Sequence, residues 1–406
     1  MKVLILSQHF WPESFRINEV AALLRENGCE VTVLTGKPNY PQGTVYPGYR
    51  AGGTQREDYE GIPVFRVPMV PRGRVQTLVS LGFNYFSFVF SAALFGAWLL
   101  RGRKCDVVFV YGTSPILQAI PGVVLSWIKR ARLVVWVQDL WPESLQAAGF
   151  VDNPRVLGAV AWVVRWIYKH SDLLLVQSPA FHSAVAPLAG RTPVEYYPNP
   201  GERVFQRADQ ADPALAPLQL EPGFNLVFAG NLGAVQGLEC VLDAAQLLLP
   251  HPDVRVVLVG SGRRGEWLRE QVQRRGLHNV TLPGSFPLED MPGIFAQASA
   301  LLVTLARTHP ILSLTVPSKL QAYLAAGRPV IGAMDGEGAR VVMESGAGFT
   351  CPAEDAQALA DAILRLRALD VAQRDSMGRK AREYYLQHFE PAKLALRLTE
   401  RLRRLP

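Results

Sequence analysis

One lysine stands where a helix start disfavours it. The segment Thr315-Val316-Pro317-Ser318-Lys319-Leu320-Gln321 runs into Ala326-Gly327. It reads as a helix with Ser318 as N-cap and Gly327 as stop. Lys319 then falls in the first turn, where the helix dipole disfavours a cation by several tenths of a kcal/mol. Either it points to solvent, or an anion bound at that helix end turns the misfit into a site. Pro317, Ser318, Lys319 and Gln321 are the candidate contacts. Two glycine turns follow apolar runs in the same half of the chain: Gly230-Asn231 to Gln236-Gly237, and Gly260-Ser261-Gly262. Loops at the carboxyl ends of parallel strands are where such sheets bind ligands. Gly230, Asn231, Gln236 and Gly260 therefore join the phosphate-binding set. With Arg263, Arg264 and Gly265 the second turn matches a dinucleotide fingerprint, yet no acid stands some twenty residues on, at 278–282, to hold a ribose. A tight strand-to-helix turn is the better account.

A second constellation lies in the first half. Gln138, Asp139, Trp141 and Glu143 come just past the apolar run 133–137. An amide, two carboxylates and a tryptophan suit a sugar, whose C–H faces are apolar and whose rim is hydroxyl. Asp139 either orients or activates an acceptor hydroxyl, or caps the next helix. Other chemistries lack their residues: there is no Asp-x-Asp pair, no His/Cys ligand spacing and no Gly-x-Ser-x-Gly. The seven histidines are scattered, and each alone reads as structural.

These groups need a scaffold, and the pattern supplies one. Strand-like runs at 3–6, 30–34, 62–67, 107–110, 133–137 and 173–176 alternate with helix-like stretches. The alternation restarts with runs at 225–229, 254–259, 280–282, 300–305, 329–331 and 348–351. Two successive doubly wound parallel sheets result. The 406 residues, 49% hydrophobic and 19% charged, suit two such domains with doubly covered strands. The intervening stretch is rich in proline, which places a linker at 201–222 between domains at 1–200 and 223–385. Residues 386–406 form a basic terminal helix expected to pack across to the first domain, its charges on a solvated face.

A net charge of +7 with pI near 9.3 favours an anionic partner. No nucleic-acid signature accompanies it, so lipid and nucleotide rank above nucleic acid. Cys29, Cys105, Cys240 and Cys351 are far apart, which fits a reducing compartment. Met1 leads into a strand without a signal-peptide layout, so the expected location is cytoplasmic. Residues 79–100 carry no charge and are long enough to span a bilayer. A single span there would split the first sheet. Gln76, Ser80, Asn84, Ser87 and Ser91 share one helical face, against Phe83, Tyr85, Phe86, Phe88, Phe90, Phe95 and Trp98. The segment is either a core helix or an interfacial one, its flanks Arg72, Arg74, Arg101, Arg103 and Lys104 meeting anionic headgroups. The interfacial reading makes 76–104 the contact with the inner face of the cytoplasmic membrane.

The opening Val3 to Glu13, the loop Thr35 to Gly43, Gln138 to Ser144, Ala229 to Gly233, and Val316 to Leu320 with Ala325 to Val330 together resemble the family 4 retaining glycosyltransferases. They are most similar to the WbuB-like O-antigen and capsule branch. That resemblance implies a GT-B fold, two facing Rossmann-like domains with a cleft between them. It implies a metal-independent enzyme without a cofactor, which moves a hexosyl or N-acetylaminodeoxyhexosyl group, such as a fucosamine-type sugar. The donor would be a nucleotide-sugar, UDP- rather than GDP-linked, held by the C-terminal domain. The acceptor would be a sugar on a polyprenyl diphosphate. Front-face retention is the implied mechanism, with Lys319 and Arg16, in the loop after the first strand, stabilising the leaving diphosphate. The chain departs from the family's Glu-x7-Glu motif, whose acids would fall on Leu314 and Ala322. It also lacks the family's basic pair, here Asn231 and Gln236, and has Gln138 where a histidine often stands. A catalytically inactive sugar-nucleotide or glycan binder and a sugar-nucleotide epimerase are the alternatives.

Overall fold

Apolar runs with few polar interruptions make strands that are buried on both faces, and the chain builds two sheets from them. The computed structural model describes residues 1–75, 77–147, 151 and 153–405; Gln76 lies outside the described residues. One unit comprises Met1–Pro198 with Pro391–Pro406, the other Asn199–Glu390.

The first unit holds β1 (Lys2–Leu6), β2 (Glu30–Thr35), β3 (Gln55–Tyr59), β4 (Ile62–Arg66), β5 (Val107–Gly112), β6 (Arg132–Val137), β7 (Leu173–Val176) and β8 (Val194–Tyr196). Their order is β3-β4-β2-β1-β5-β6-β7-β8. Only β3 runs antiparallel, paired on β4. Its sequence Gln-Arg-Glu-Asp-Tyr is half exposed, so an edge strand of charged residues carries no apolar run to announce it. The three-residue β8 sits inside the proline-rich stretch and escapes the pattern for the same reason. Because β1 lies between β2 and β5, the loops after β1 and β5 flank the point where strand order reverses, a ligand crevice in such sheets.

The second unit holds β9 (Phe224–Ala229), β10 (Val254–Val259), β11 (Val280–Gly284), β12 (Ala300–Thr304), β13 (Val330–Ala333) and β14 (Gly348–Cys351). They are parallel in the order β11-β10-β9-β12-β13-β14. Residues 201–222, read from their prolines as a linker, fold onto this unit as the 3-10 turns Arg203–Gln210 and Pro213–Leu215. Phe205 is buried and stacks on Phe295 at 5.7 Å. The return to the first unit falls at Pro391, not at 386. The helix Val371–His388 runs on through that point, and Pro391 opens the next helix, Pro391–Arg403. Leu394, Leu398 and Leu402 of that helix join Val20 and Leu24 of α1 (Arg16–Glu26) in one buried cluster. Arg401 grips Glu195 through Nε and Nη2 at 2.7–3.0 Å.

Helix α2 (Leu78–Leu99) is built inside out. It is the one helix among the described residues that is long and apolar enough to cross a membrane. The strands on either side of it in the chain, β4 and β5, belong to the same sheet, so it packs along that sheet. Asn84 and Ser91 of the polar face are buried, whereas Phe83, Phe86 and Phe90 are 64%, 64% and 67% exposed. Phe88, counted from the sequence on the outward surface, is fully buried. Asn84 turns inward because partners wait there: its amide accepts from Gln8 Nε2 at 2.8 Å and donates to the Val70 carbonyl at 2.6 Å. A buried amide needs such bonds, and outward phenylalanines do not.

Candidate active site

A cavity of about 590 Å³ opens at the carboxyl ends of β9, β10 and β11 in the second unit, a volume suited to a small ligand. The glycine turns build its floor. A Cβ on Gly260 would stand 1.9 Å from the Gly230 carbonyl oxygen, and one on Gly262 2.4 Å from that of Leu232. These glycines let two strand-end loops touch backbone to backbone, which accounts for the dinucleotide-like spacing without a dinucleotide. Gly230, Asn231, Gln236, Gly260, Ser318 and Lys319 all line the cavity. Pro317 and Gln321 do not. Gln321 is buried and turns its amide nitrogen onto the Ser318 carbonyl at 2.6 Å.

The helix carrying Lys319 spans Ser318–Ala325. Ser318 is its first helical residue and not the expected cap; Pro317 holds the cap position, with no side-chain hydrogen bond. The first-turn N–H groups are thus left without a side-chain acceptor. Lys319 Nζ donates to Gln236 Oε1 at 2.7 Å and lies 3.6 Å from the centroid of the Phe228 ring. The residue retains some surface, but its ammonium sits deep, and burial pushes its pKa down to about 7. No carboxylate among the described residues acts on it. Among the described residues it is the only cation lining the cavity, and Glu202 the only carboxylate. Glu202 escaped notice in the sequence because it lies in the proline-rich stretch with no motif around it. Phe205, Phe286, Leu288, Met291 and Phe295 supply the apolar wall.

In the first unit a polar rim runs along the carboxyl ends of β2, β1, β5 and β6. Asp139 does not spend its carboxylate on the following helix: Oδ2 accepts from the Ser114 N–H at 2.6 Å, linking the loops after β5 and β6. Burial raises its pKa, and the Ser114 bonds oppose the rise. Trp141 donates its indole N–H to Ser114 Oγ at 3.1 Å and is only 8% exposed. It braces this loop and offers little open face. Gln138 is buried, its Nε2 without a partner. Glu143 opens the short helix Glu143–Ala147. Arg16 starts α1, and both it and Asp139 act electrostatically on the buried Tyr111 hydroxyl.

Sequence reasoning missed the neighbouring cluster. His9 Nδ1 stands 3.1 Å from both oxygens of Glu13, and Glu13 Oε1 accepts from the N–H groups of Asn39 and Tyr40 at 2.8 and 2.7 Å. Gln118 takes the Gln8 N–H at 2.8 Å and donates to Thr113. The available signal was position: His9 and Glu13 are four residues apart in the loop after β1, at the switch point.

Two family models cover most of the chain: the glycosyl transferase 4-like domain over residues 14–200 and the glycosyl transferases group 1 over 223–368. The putative colanic acid biosynthesis glycosyl transferase WcaI of Escherichia coli K12 is 28% identical over 346 residues, 80% of this chain and 82% of that protein. Sucrose-phosphate synthase from Thermosynechococcus elongatus superposes with a TM-score of 0.75 at 18% identity, over 100% of this chain and 98% of that one. HepE of Anabaena in complex with UDP superposes at 0.69 and 18% identity, over 99% and 100%.

Proposed function

The chain belongs to the group 1 and 4-like glycosyl transferases, with two parallel α/β units of GT-B type, and we propose that it moves a sugar from a UDP-linked donor onto a lipid-linked sugar acceptor in surface-polysaccharide assembly. The observation that carries this is Lys319: a deep ammonium with no acid beside it, at an uncapped helix start, inside a nucleotide-sized cavity. A diphosphate supplies the charge that this arrangement lacks. The UDP bound by HepE and the colanic acid assignment of WcaI support the donor and the pathway class.

The transfer proceeds with retention. The acceptor oxygen attacks the anomeric carbon on the face the diphosphate leaves, and the departing phosphate oxygen takes the hydroxyl proton. Lys319 and the N–H groups of its helix meet the growing charge in place of a metal ion. In the first unit Asp139 orients the acceptor hydroxyl, and Gln138 Nε2, buried and unpaired, receives a sugar oxygen. Incubation with UDP- and GDP-linked hexoses and N-acetylaminodeoxyhexoses, with and without a lipid-linked acceptor, tests the whole reading. Acceptor-dependent release of UDP is expected. Donor binding with no release under any pairing would leave a sugar-nucleotide binder, and acceptor-free conversion of the donor an epimerase.

Glu202, the only carboxylate lining the cavity among the described residues, is the group we assign to the ribose hydroxyls, which carboxylates hold in nucleotide sites. Glu202→Gln should weaken UDP binding about tenfold by calorimetry, as expected for one charge-assisted hydrogen bond. Unchanged affinity would remove it from the donor site.

We propose that the enzyme works at the cytoplasmic surface of the inner membrane, and the outward aromatic face of α2 supports that reading. Exposed Phe83, Phe86, Phe90, Leu94 and Trp98 enter the interface, and Arg74, Arg101, Arg103 and Lys104 meet anionic headgroups, each worth about 1 kcal/mol at low salt. The protein should sediment with phosphatidylglycerol vesicles and be partly released by salt. Replacing Phe86 and Phe90 together with serine should abolish sedimentation and leave UDP affinity intact. Vesicle binding undiminished by that pair would reject α2 as the contact.

A further inference from the structure

Around Tyr40, in the first unit, two buried polar side chains each keep one nitrogen without a hydrogen-bond partner. Arg72 is 8% exposed. Its guanidinium lies 5.2 Å from the centroid of the Tyr40 ring and 5.6 Å from that of Tyr85, and Nη2 donates to the Tyr85 hydroxyl at 3.0 Å. Its Nε is buried with no hydrogen-bond partner, and no carboxylate among the described residues pairs with it. The imidazole of His9 stands 5.5 Å from the same Tyr40 ring, and its Nε2 is buried and equally unpartnered. Glu13, the acid beside His9, is already engaged by that imidazole and by two backbone N–H groups.

Arginine cannot shed its proton, and a cation removed from water without an anion is costly. Two aromatic faces attract the charge but accept none of the guanidinium's in-plane N–H bonds. The group that is missing is therefore an anion with several acceptor oxygens. Its source follows from what Arg72 is fastened to. The preceding residue but one, Val70, is tied to α2 at both backbone atoms: its N–H donates to Ser87 Oγ at 2.9 Å and its carbonyl accepts from Asn84. The Arg72 N–H itself donates to Asn39 Oδ1 at 3.2 Å. The unpaired guanidinium thus sits beside the one helix that turns aromatic residues outward, at the rim that carries the acceptor-side residues.

We propose that Arg72 is the ligand of a lipid-borne diphosphate, the group that joins lipid to sugar in the acceptor. Tyr40 and Tyr85 hold the guanidinium flat for a forked contact, and His9 Nε2, with Nδ1 turned to Glu13, accepts a hydroxyl of the adjoining sugar. This rests on the lipid-linked acceptor proposed above. A free diphosphate and an ordinary lipid headgroup share the same chemistry, so the test separates them.

Calorimetry with geranyl diphosphate at saturating UDP keeps the donor cavity occupied and needs no membrane. Arg72→Gln should weaken that binding about tenfold, the loss of a charge-assisted pair. Phosphatidylcholine vesicles carrying either undecaprenyl diphosphate or charge-matched phosphatidylglycerol then locate the anion. The wild-type protein should prefer the diphosphate vesicles, and Arg72→Gln should lose that preference while still binding phosphatidylglycerol. Unchanged geranyl diphosphate affinity overturns the assignment, and so does an equal loss on both vesicles, which would make Arg72 a headgroup contact. If Arg72→Gln does not fold, Tyr85→Phe removes only the hydroxyl on Nη2, and several-fold weaker binding is expected; no change counts against the site. A wild-type protein that ignores vesicles yet binds geranyl diphosphate through Arg72 would sink the membrane reading and leave this site standing.

Discussion

Lys319→Ala should lower kcat/KM by about 30- to 1000-fold, the loss of roughly 2–4 kcal/mol that removal of a strong transition-state donor brings. The reason lies in what surrounds the ammonium. Among the described residues its polar and ring partners are Gln236 Oε1 and the Phe228 ring, and neither neutralises a charge, so the proposed diphosphate is the partner this cation would gain. Burial depresses its pKa to about 7, which gives the effect a pH signature. In the free enzyme Lys319 is charged below pH 7 and loses its proton as pH rises through that value. kcat/KM for the donor should therefore fall above about pH 7. A bound diphosphate favours the charged form and raises the pKa, so kcat should stay flat to higher pH. In Lys319→Ala the decline of kcat/KM should vanish along with most of the activity. Folding should survive, because the native state gains no ion pair from this lysine. A variant with near-normal turnover would reject Lys319 as the diphosphate ligand.

Asp139→Asn should reduce transfer by about 100-fold or more, within the range for loss of a positioned acid–base group, and leave UDP affinity unchanged. The substitution is chosen because asparagine keeps an oxygen for the Ser114 N–H, so the junction of the β5 and β6 loops is preserved. What goes is the negative charge available to an acceptor hydroxyl. Burial raises the carboxyl's pKa, so activity should fall on the acid side as Asp139 takes up a proton, at a pH above the ordinary carboxylate range. That acid limb should be absent in the variant. Full activity from a folded Asp139→Asn would show that the carboxylate only ties two loops together.

Much of this protein is legible in its sequence because the signals are local. The central runs β9, β10, β12 and β13 are apolar with at most one polar residue each, and burial on both faces of a parallel sheet demands that. The glycines at 230, 260 and 262 mark loops whose backbones touch, and Lys319, two residues after Pro317, announces a helix start at odds with its charge. The inverted helix 78–99 likewise shows its two faces through spacing alone. That spacing did not say which face looks inward. Asn84 decided it, through Gln8 and the Val70 carbonyl, partners 76 and 14 residues away.

The remaining site residues depend on contacts between distant segments, which no local pattern carries. Glu202 enters the cavity because the 3-10 turn after it buries Phe205 against Phe295. Asp139 reads as either an acceptor-orienting acid or a helix cap until Ser114 takes its oxygen, and Trp141 reads as an open face until the same serine takes its indole. His9 is one scattered histidine among seven in the sequence, and only folding brings the Tyr40 ring to it and the Asn39 and Tyr40 N–H groups to its partner Glu13. Residue type and spacing determined the two doubly wound sheets and the strand-end loops, since hydrophobic period and backbone sterics act over a few residues. Which side chains end those loops without a partner was decided by tertiary structure alone, because a missing hydrogen bond is a property of everything packed around the atom.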